Sequence, residues 1–371
     1  MYIPLSPTIK TLNILKMWRH NDRLPFINDF DKRILLSMGK NAFWYIAKMI
    51  RLQIDDEVIV PAYMCYNALQ PLMKAGARFR FIDIGIDLKI DFRSLVDLFT
   101  NKTKLLILVQ YFGMPTDIRE IVGFAQSQGV HTVEDCALSY GSIINGRFAG
   151  TTADFGLFSL RKFFPIPDGG MLLDNRNNIS DIKREGINMG KGLAIVRSML
   201  SNAESKTGVP FVKYLKGSKG ELLNDSIVNG EGDFELGISN VSMRILEKQE
   251  PWEDICLKRR ENYKYMLIGL EENTLFKPLR KTLEDGFCPM TLPLMVDSAD
   301  SADSIRDKLN QDRVPAYAWP GVSNLHPYVR ENIKKYPITQ YLVNNLIMLP
   351  VHQDLTKRHL DYMIQVLTRD F

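Results

Sequence analysis

Short, continuously apolar runs alternate with longer segments in which apolar residues return at helical spacing. Asp31 to Leu36 predicts a strand, and Ala42 to Leu52 a helix. Glu57 to Pro61 reads as a strand stopped by proline, and Tyr66 to Ala75 as a helix ended by Gly76. The alternation continues with a strand at Phe79 to Ile84, a helix at Asp91 to Phe99 and a strand at Leu105 to Val109. A helix at Ile118 to Gln128 and a strand at His131 to Glu134 complete it. Strands this short and this apolar, separated by helices, predict an α/β fold whose mainly parallel sheet is covered on both faces. Ligands of such sheets bind beyond the carboxyl ends of the strands, where Pro61, Gln110 and Asp135 fall together.

The rhythm weakens from Met189 to about Phe234, which reads as an insertion. Met243 to about Leu270 reads as a charged connecting helix. The remainder predicts α+β structure: Phe287 to Val296, helix Ala302 to Gln311, Ile347 to Pro350 and helix Lys357 to Leu367. No internal repeat or heptad pattern occurs.

Composition narrows the class. With 371 residues there is room for two domains. A net charge of +4, from 47 basic and 43 acidic residues, is too balanced for nucleic-acid binding. No run is long and apolar enough for membrane insertion. Met1 to Pro7 lacks the basic and apolar regions of a signal peptide. The four cysteines show no CxxC spacing, which suggests a reduced, cytoplasmic protein with no metal site. GxGxxG and Walker A loops are both absent.

Chemistry enters with Glu134-Asp135 at a strand end and Lys162 after the run Phe155 to Phe158. A strand-end carboxylate can hold a pyridinium nitrogen protonated, and a lysine in apolar company has a lowered pKa and becomes a nucleophile. Each residue alone also fits a bland role, Asp135 as a helix cap and Lys162 as a solvated lysine. The turn Ser37-Met38-Gly39-Lys40-Asn41 before the first helix could present N–H groups to a phosphate, or could be an ordinary cap.

Taken in order, these segments resemble the DegT/DnrJ/StrS family of nucleotide-sugar aminotransferases, of pyridoxal-phosphate fold type I. The resemblance runs from about Asp55 to Asn175 and resumes at Gly237 to Arg244 and Trp319 to Leu367. Gln110-Tyr111-Phe112-Gly113-Met114-Pro115-Thr116-Asp117 is similar to a family segment that usually begins with histidine. Glu134-Asp135-Cys136-Ala137, Phe158-Ser159-Leu160-Arg161-Lys162 and Leu349 to Thr356 are similar to further family motifs. The resemblance implies a seven-stranded cofactor-binding domain with an N-terminal arm over residues 1–250, and a small α+β domain over 251–371. It makes Lys162 and Asp135 catalytic. The cofactor would be held by Gly39, Lys40, Asn41, Tyr63, Cys65, Asp135, Leu138, Ser159, Lys162 and Asn240. Asn240 would reach the neighbouring site of a homodimer. Tyr317 and Trp319, on a loop that lies near the sugar-nucleotide in relatives, would meet the substrate or cover the small domain's core; His326 is placed, on the residues alone, to approach the substrate or to serve a structural role.

Implied too are a nucleotide-linked keto-sugar substrate, an amino-acid donor such as glutamate, and a place in lipopolysaccharide or related amino-sugar biosynthesis. Three positions depart from the family pattern. Leu138 replaces glutamine or histidine, Cys65 stands where an aromatic ring is expected, which Tyr63 or Tyr66 could supply from a shifted register, and the Ser159–Lys162 interval is two residues short. Two other readings remain open: a sugar dehydratase, whose known relatives carry histidine in place of the lysine, and a silent homologue acting as sensor or assembly partner.

Overall fold

The computed structural model describes residues 2–9, 33–176, 234–296 and 302–369. The insertion expected at 189–233 lies outside them, as do Asp31 and Lys32 of the first strand. Seven strands build the main sheet: β1 (Arg33–Leu36), β2 (Glu57–Pro61), β3 (Arg78–Ile82), β4 (Thr103–Val109), β5 (His131–Asp135), β8 (Phe155–Phe158) and β9 (Gly170–Asp174). Their order across it is β1-β9-β8-β5-β4-β2-β3. Strands β3, β2, β4, β5 and β8 run parallel. Strand β9 runs antiparallel to both β8 and β1. A small hairpin, β6 (Ile143–Ile144) with β7 (Arg147–Phe148), lies apart.

The crossovers are α1 (Asn41–Met49), α2 (Tyr66–Lys74), α3 (Phe92–Val96) and α4 (Arg119–Ser127). They bury both sheet faces, which is why Leu105 to Leu108 are all almost wholly buried. Helix α3 is shorter than its apolar pattern, with Asp91 capping it through Ser94 N–H at 2.8 Å.

The long connecting helix expected from Met243 is two helices, α5 (Asn240–Leu246) and α6 (Trp252–Gly269). Pro251 occupies the cap of α6, where its missing N–H costs nothing; inside a helix it would remove a hydrogen bond. Likewise, only Thr291–Val296 of the apolar stretch from Phe287 is strand (β11). It lies between β10 (Phe276–Pro278) and β12 (Leu346–Pro350) in an antiparallel sheet. The helices of this part are α7 (Ala302–Gln311), α8 (Pro327–Glu331), α9 (Pro337–Asn345) and α10 (Lys357–Arg369).

Hydrogen bonds between the two parts hold the second sheet beside the strand ends of the first. Asp83, just beyond β3, accepts from Ile338 N–H at 2.8 Å and Thr339 N–H at 2.9 Å, satisfying open donors at the start of α9. Met290 N–H donates to Phe112 carbonyl at 2.9 Å, joining β11 to the loop after β4.

Candidate active site

Strand alternation separates the two adjacent acids, since neighbouring side chains point to opposite faces. Glu134 accepts from Gln110 Nε2 at 2.9 Å and from Thr152 N–H at 3.1 Å. Burial raises its pKa, and these donors offset part of the rise. Gln110 also accepts from Thr116 N–H at 2.7 Å, so the amide staples the loop after β4 to the inert face of β5.

Asp135 is the last residue of β5, beside Val109 of β4 and Leu157 of β8. One of its oxygens accepts from Ala137 N–H at 2.9 Å. Burial raises its pKa, opposed by that hydrogen bond and by the Lys162 charge. Lys162 follows β8 in a tight turn, Leu160–Lys162, with Phe163 and Phe164 fully buried behind it. Burial lowers the Lys162 pKa to about 8, Asp135 opposing the shift. The amine is thus poised between its charged and neutral forms, within electrostatic reach of a buried carboxylate.

Over the amine lies Trp319, whose ring centre is 5.5 Å from Lys162 Nζ. Tyr63 fixes that loop by donating its hydroxyl to Trp319 carbonyl at 2.6 Å, and Tyr111 donates to Tyr63 carbonyl at 2.9 Å. The rings of Tyr63, Tyr111 and Trp319 meet at centroid distances of 5.7 to 6.1 Å. Tyr63 is thus a buried support for the Trp319 loop. Cys65 precedes α2 and pairs by its backbone with Leu325. Leu138 is buried in the adjoining apolar core.

The start of α1 lies against the lysine turn. A Cβ added to Gly39 would sit 2.9 Å from Phe158 carbonyl and 3.2 Å from Ser159 Cβ. A Cβ on Gly170 would come within 2.4 Å of Gly39 N. Only glycine allows these backbones to meet. No side chain caps α1, because the cap position is Lys40, whose ammonium cannot accept; Asn41 Nδ2 donates to Ser37 Oγ at 3.1 Å. Lys40 extends away to Gln70 at 3.1 Å, so its contribution here is its backbone at the helix start. The result is a helix N-terminus beside the Ser159 hydroxyl, a setting suited to an anion.

Asn240, at the start of α5, is exposed. Asp168 carries its segment, accepting from Ser239 N–H at 3.0 Å and from the hydroxyls of Ser239 and Ser242. Asp168 had no role in the sequence reading. An acid between Pro167 and Gly169-Gly170 in an apolar neighbourhood was the available signal. Asp168→Asn is expected to lower the unfolding free energy by about 2 kcal/mol, because buried donors lose a charged acceptor. Denaturant unfolding of the cofactor-free protein measures this; an unchanged midpoint would refute the clamp.

Two expected substrate residues face inward. Tyr317 pairs by its backbone with Met348, and its buried hydroxyl meets Thr291. His326 caps α8 by accepting from Tyr328 N–H at 3.2 Å, and its ring packs on Phe81 at 4.8 Å. Trp319 alone of the three reaches Lys162. Among the described residues no group of three or more His, Cys, Asp or Glu could hold a metal ion.

The donor set fits pyridoxal phosphate: a carboxylate for the ring nitrogen, an amine for the aldehyde, and an uncapped helix start with a hydroxyl for the phosphate. Comparison with known proteins agrees. The chain is 32% identical over 145 residues to GDP-perosamine synthase of Escherichia coli O157:H7, covering 38% of this chain and 39% of that protein. It is 35% identical over 116 residues to a GDP-4-keto-6-deoxy-D-mannose 3-dehydratase of E. coli O55:H7, covering 31% and 30% of the two. These matches span about two fifths or less of the curated relatives.

Among solved structures, the PLP form of the putative sugar aminotransferase Spr1654 from Streptococcus pneumoniae superposes with a TM-score of 0.70 at 17% identity. The superposition covers 99% of this chain and 98% of that one. The fold is therefore that of the fold type I pyridoxal-phosphate enzymes. The sequence profile of one family matches residues 34–368, and the chain belongs to it: the DegT/DnrJ/EryC1/StrS aminotransferase family.

Proposed function

We propose that this protein is a pyridoxal-phosphate-dependent aminotransferase that moves an amino group, with glutamate as donor, to a nucleotide-linked keto-sugar. The observation that carries the reading is Lys162, its pKa lowered by burial and its charge coupled to the Asp135 carboxylate. When bound, the cofactor supplies an electron sink for the carbon that gains or loses a proton. Asp135 keeps a proton at the ring nitrogen. Lys162 Nζ would attach the cofactor through its aldehyde and would carry the migrating proton. The start of α1, with Gly39, Lys40 and Asn41, and the Ser159 hydroxyl would face the phosphate. Trp319 covers the amine and limits water. Leu138 offers the ring an apolar contact.

Residues 1–250 would form the cofactor domain with its N-terminal arm, and 251–371 the small domain. The setting fits a cytoplasmic enzyme of amino-sugar or lipopolysaccharide biosynthesis; among the described residues no helix is long and apolar enough to cross a membrane. A dehydratase reading draws on the relative of that name. The retained lysine favours amino transfer.

Reconstitution with pyridoxal phosphate followed by borohydride is the test. Peptide mapping is expected to place the reduced adduct on Lys162, and glutamate is expected to bleach the visible band beforehand. An adduct on another lysine would overturn the assignment.

Exposure of Asn240 at a clamped helix start supports a homodimer with shared sites. Mixing inactive Lys162→Ala chains with inactive Asn240→Asp chains is expected to recover up to about a quarter of wild-type activity. Half of a random mixture pairs unlike chains, and one of their two sites is intact. Mixed dimers without any recovery would show that both residues serve one chain's own site.

A further inference from the structure

Arg259 lies on α6 with none of its surface exposed, an unusual place for a guanidinium. Among the described residues it makes no ion pair, and its hydrogen-bond acceptors are all neutral; the Asp354 carboxylate acts on it only from beyond contact. Nε donates to Gln353 Oε1 at 2.9 Å. Nη1 donates to the carbonyls of Pro289 and Met290, both at 3.3 Å. Nη2 donates to Phe163 carbonyl at 3.3 Å, and the guanidinium lies 4.9 Å from the centre of the Phe163 ring. Gln353 Nε2 donates to the same carbonyl at 3.0 Å. Phe163 directly follows Lys162, so two side chains from outside the large sheet grip the peptide by which the lysine turn exits.

A buried charge that touches only neutral acceptors is poor economy for stability, and an apolar side chain of similar volume often serves better. What a guanidinium adds is geometry: a rigid planar fork that reaches several carbonyls at fixed angles. The acceptors belong to the lysine turn and to the segment entering β11, and the partner Gln353 to the loop after β12. Arg259 therefore sits where the second sheet meets the reactive amine.

We infer that Arg259 is a positioning residue: by holding Phe163 from the connecting helix it sets where Lys162 Nζ stands relative to Asp135. The inference rests on Lys162 being the amine that attaches the cofactor. Arg259 itself touches neither cofactor nor substrate.

The test compares two ligands on the full chain. Pyridoxal phosphate engages both the phosphate and ring contacts and the Lys162 amine, whereas pyridoxine phosphate, which has no aldehyde, engages only the former. Arg259→Met is expected to unfold at or above the wild-type denaturant midpoint. It should bind pyridoxine phosphate as the wild type does. It should bind pyridoxal phosphate about tenfold or more weakly, with less borohydride-trapped adduct on Lys162, as befits a displaced amine.

Arg259→Lys is expected not to restore the loss, since one ammonium cannot span the same acceptors. A well-folded Arg259→Met protein with wild-type affinity for pyridoxal phosphate would overturn the inference, and so would equal weakening for both ligands. Should Arg259→Met not fold, Gln353→Met, which removes the other donor to Phe163, is expected to show the same selective loss; wild-type binding there would also overturn it. If wild-type protein is not trapped at Lys162, the cofactor assignment fails as well, which separates the two failures.

Discussion

Lys162→Ala is expected to lower turnover by on the order of 10⁴-fold, the upper range for one positioned acid–base group. The variant should still bind pyridoxal phosphate, because Asp135, Ser159 and the start of α1 are untouched. It should lose the borohydride-stable adduct. A pH experiment isolates the amine beforehand. Burial holds its pKa at about 8 rather than the ordinary 10.5, so its neutral, reactive fraction grows as pH rises through 8. In cofactor-free protein, acylation of Lys162 should accelerate across that range, while exposed lysines lag by more than two pH units. A rate profile centred near 10.5 would show that the amine is solvated. Retained turnover in Lys162→Ala would remove it from the chemistry.

Asp135→Asn is expected to reduce turnover by on the order of 10²- to 10³-fold, comparable with removing one preorganised electrostatic partner. Volume is conserved, and the amide oxygen can still accept from Ala137 N–H, so the fold should persist. The cofactor-free variant should be at least as stable as wild type at neutral pH, because no buried charge then needs solvation. The sign of the pH dependence follows from burial. Because burial raises the Asp135 pKa, the native state holds this proton better than the unfolded chain does. That contribution favours folding at acid pH and is lost as pH climbs out of the carboxylate range. The amide variant has no such dependence. Near-normal turnover in Asp135→Asn would reduce the carboxylate to a structural acceptor for Ala137.

How far the sequence reached can be followed residue by residue. The alternation from Glu57 to Asp135 was legible because strands buried on both faces must be apolar throughout, and the observed parallel order follows it. Lys162 and Asp135 stood out because a charged group in apolar company is costly unless it serves something. Boundaries were less legible. Met243 to Leu270 has helical composition throughout, and only the geometry around Pro251 separates α5 from α6. His326 and Tyr317 looked like ligand residues because an imidazole and a phenol on a loop carry useful chemistry. Their neighbours, the start of α8 and the inner face of the second sheet, come from distant segments.

The sequence by itself determined the class of fold and the family, and it singled out the Asp135 and Lys162 pair proposed for the chemistry, since these depend on local pattern and on residue type at strand ends. Only the tertiary structure decided how those groups are held. Asp168 beneath the Asn240 segment, Tyr63 under Trp319, Lys40 turned toward Gln70 and Arg259 behind Phe163 are contacts between residues far apart in the chain. Their partners are set by long-range packing, which leaves no periodic trace in either segment alone.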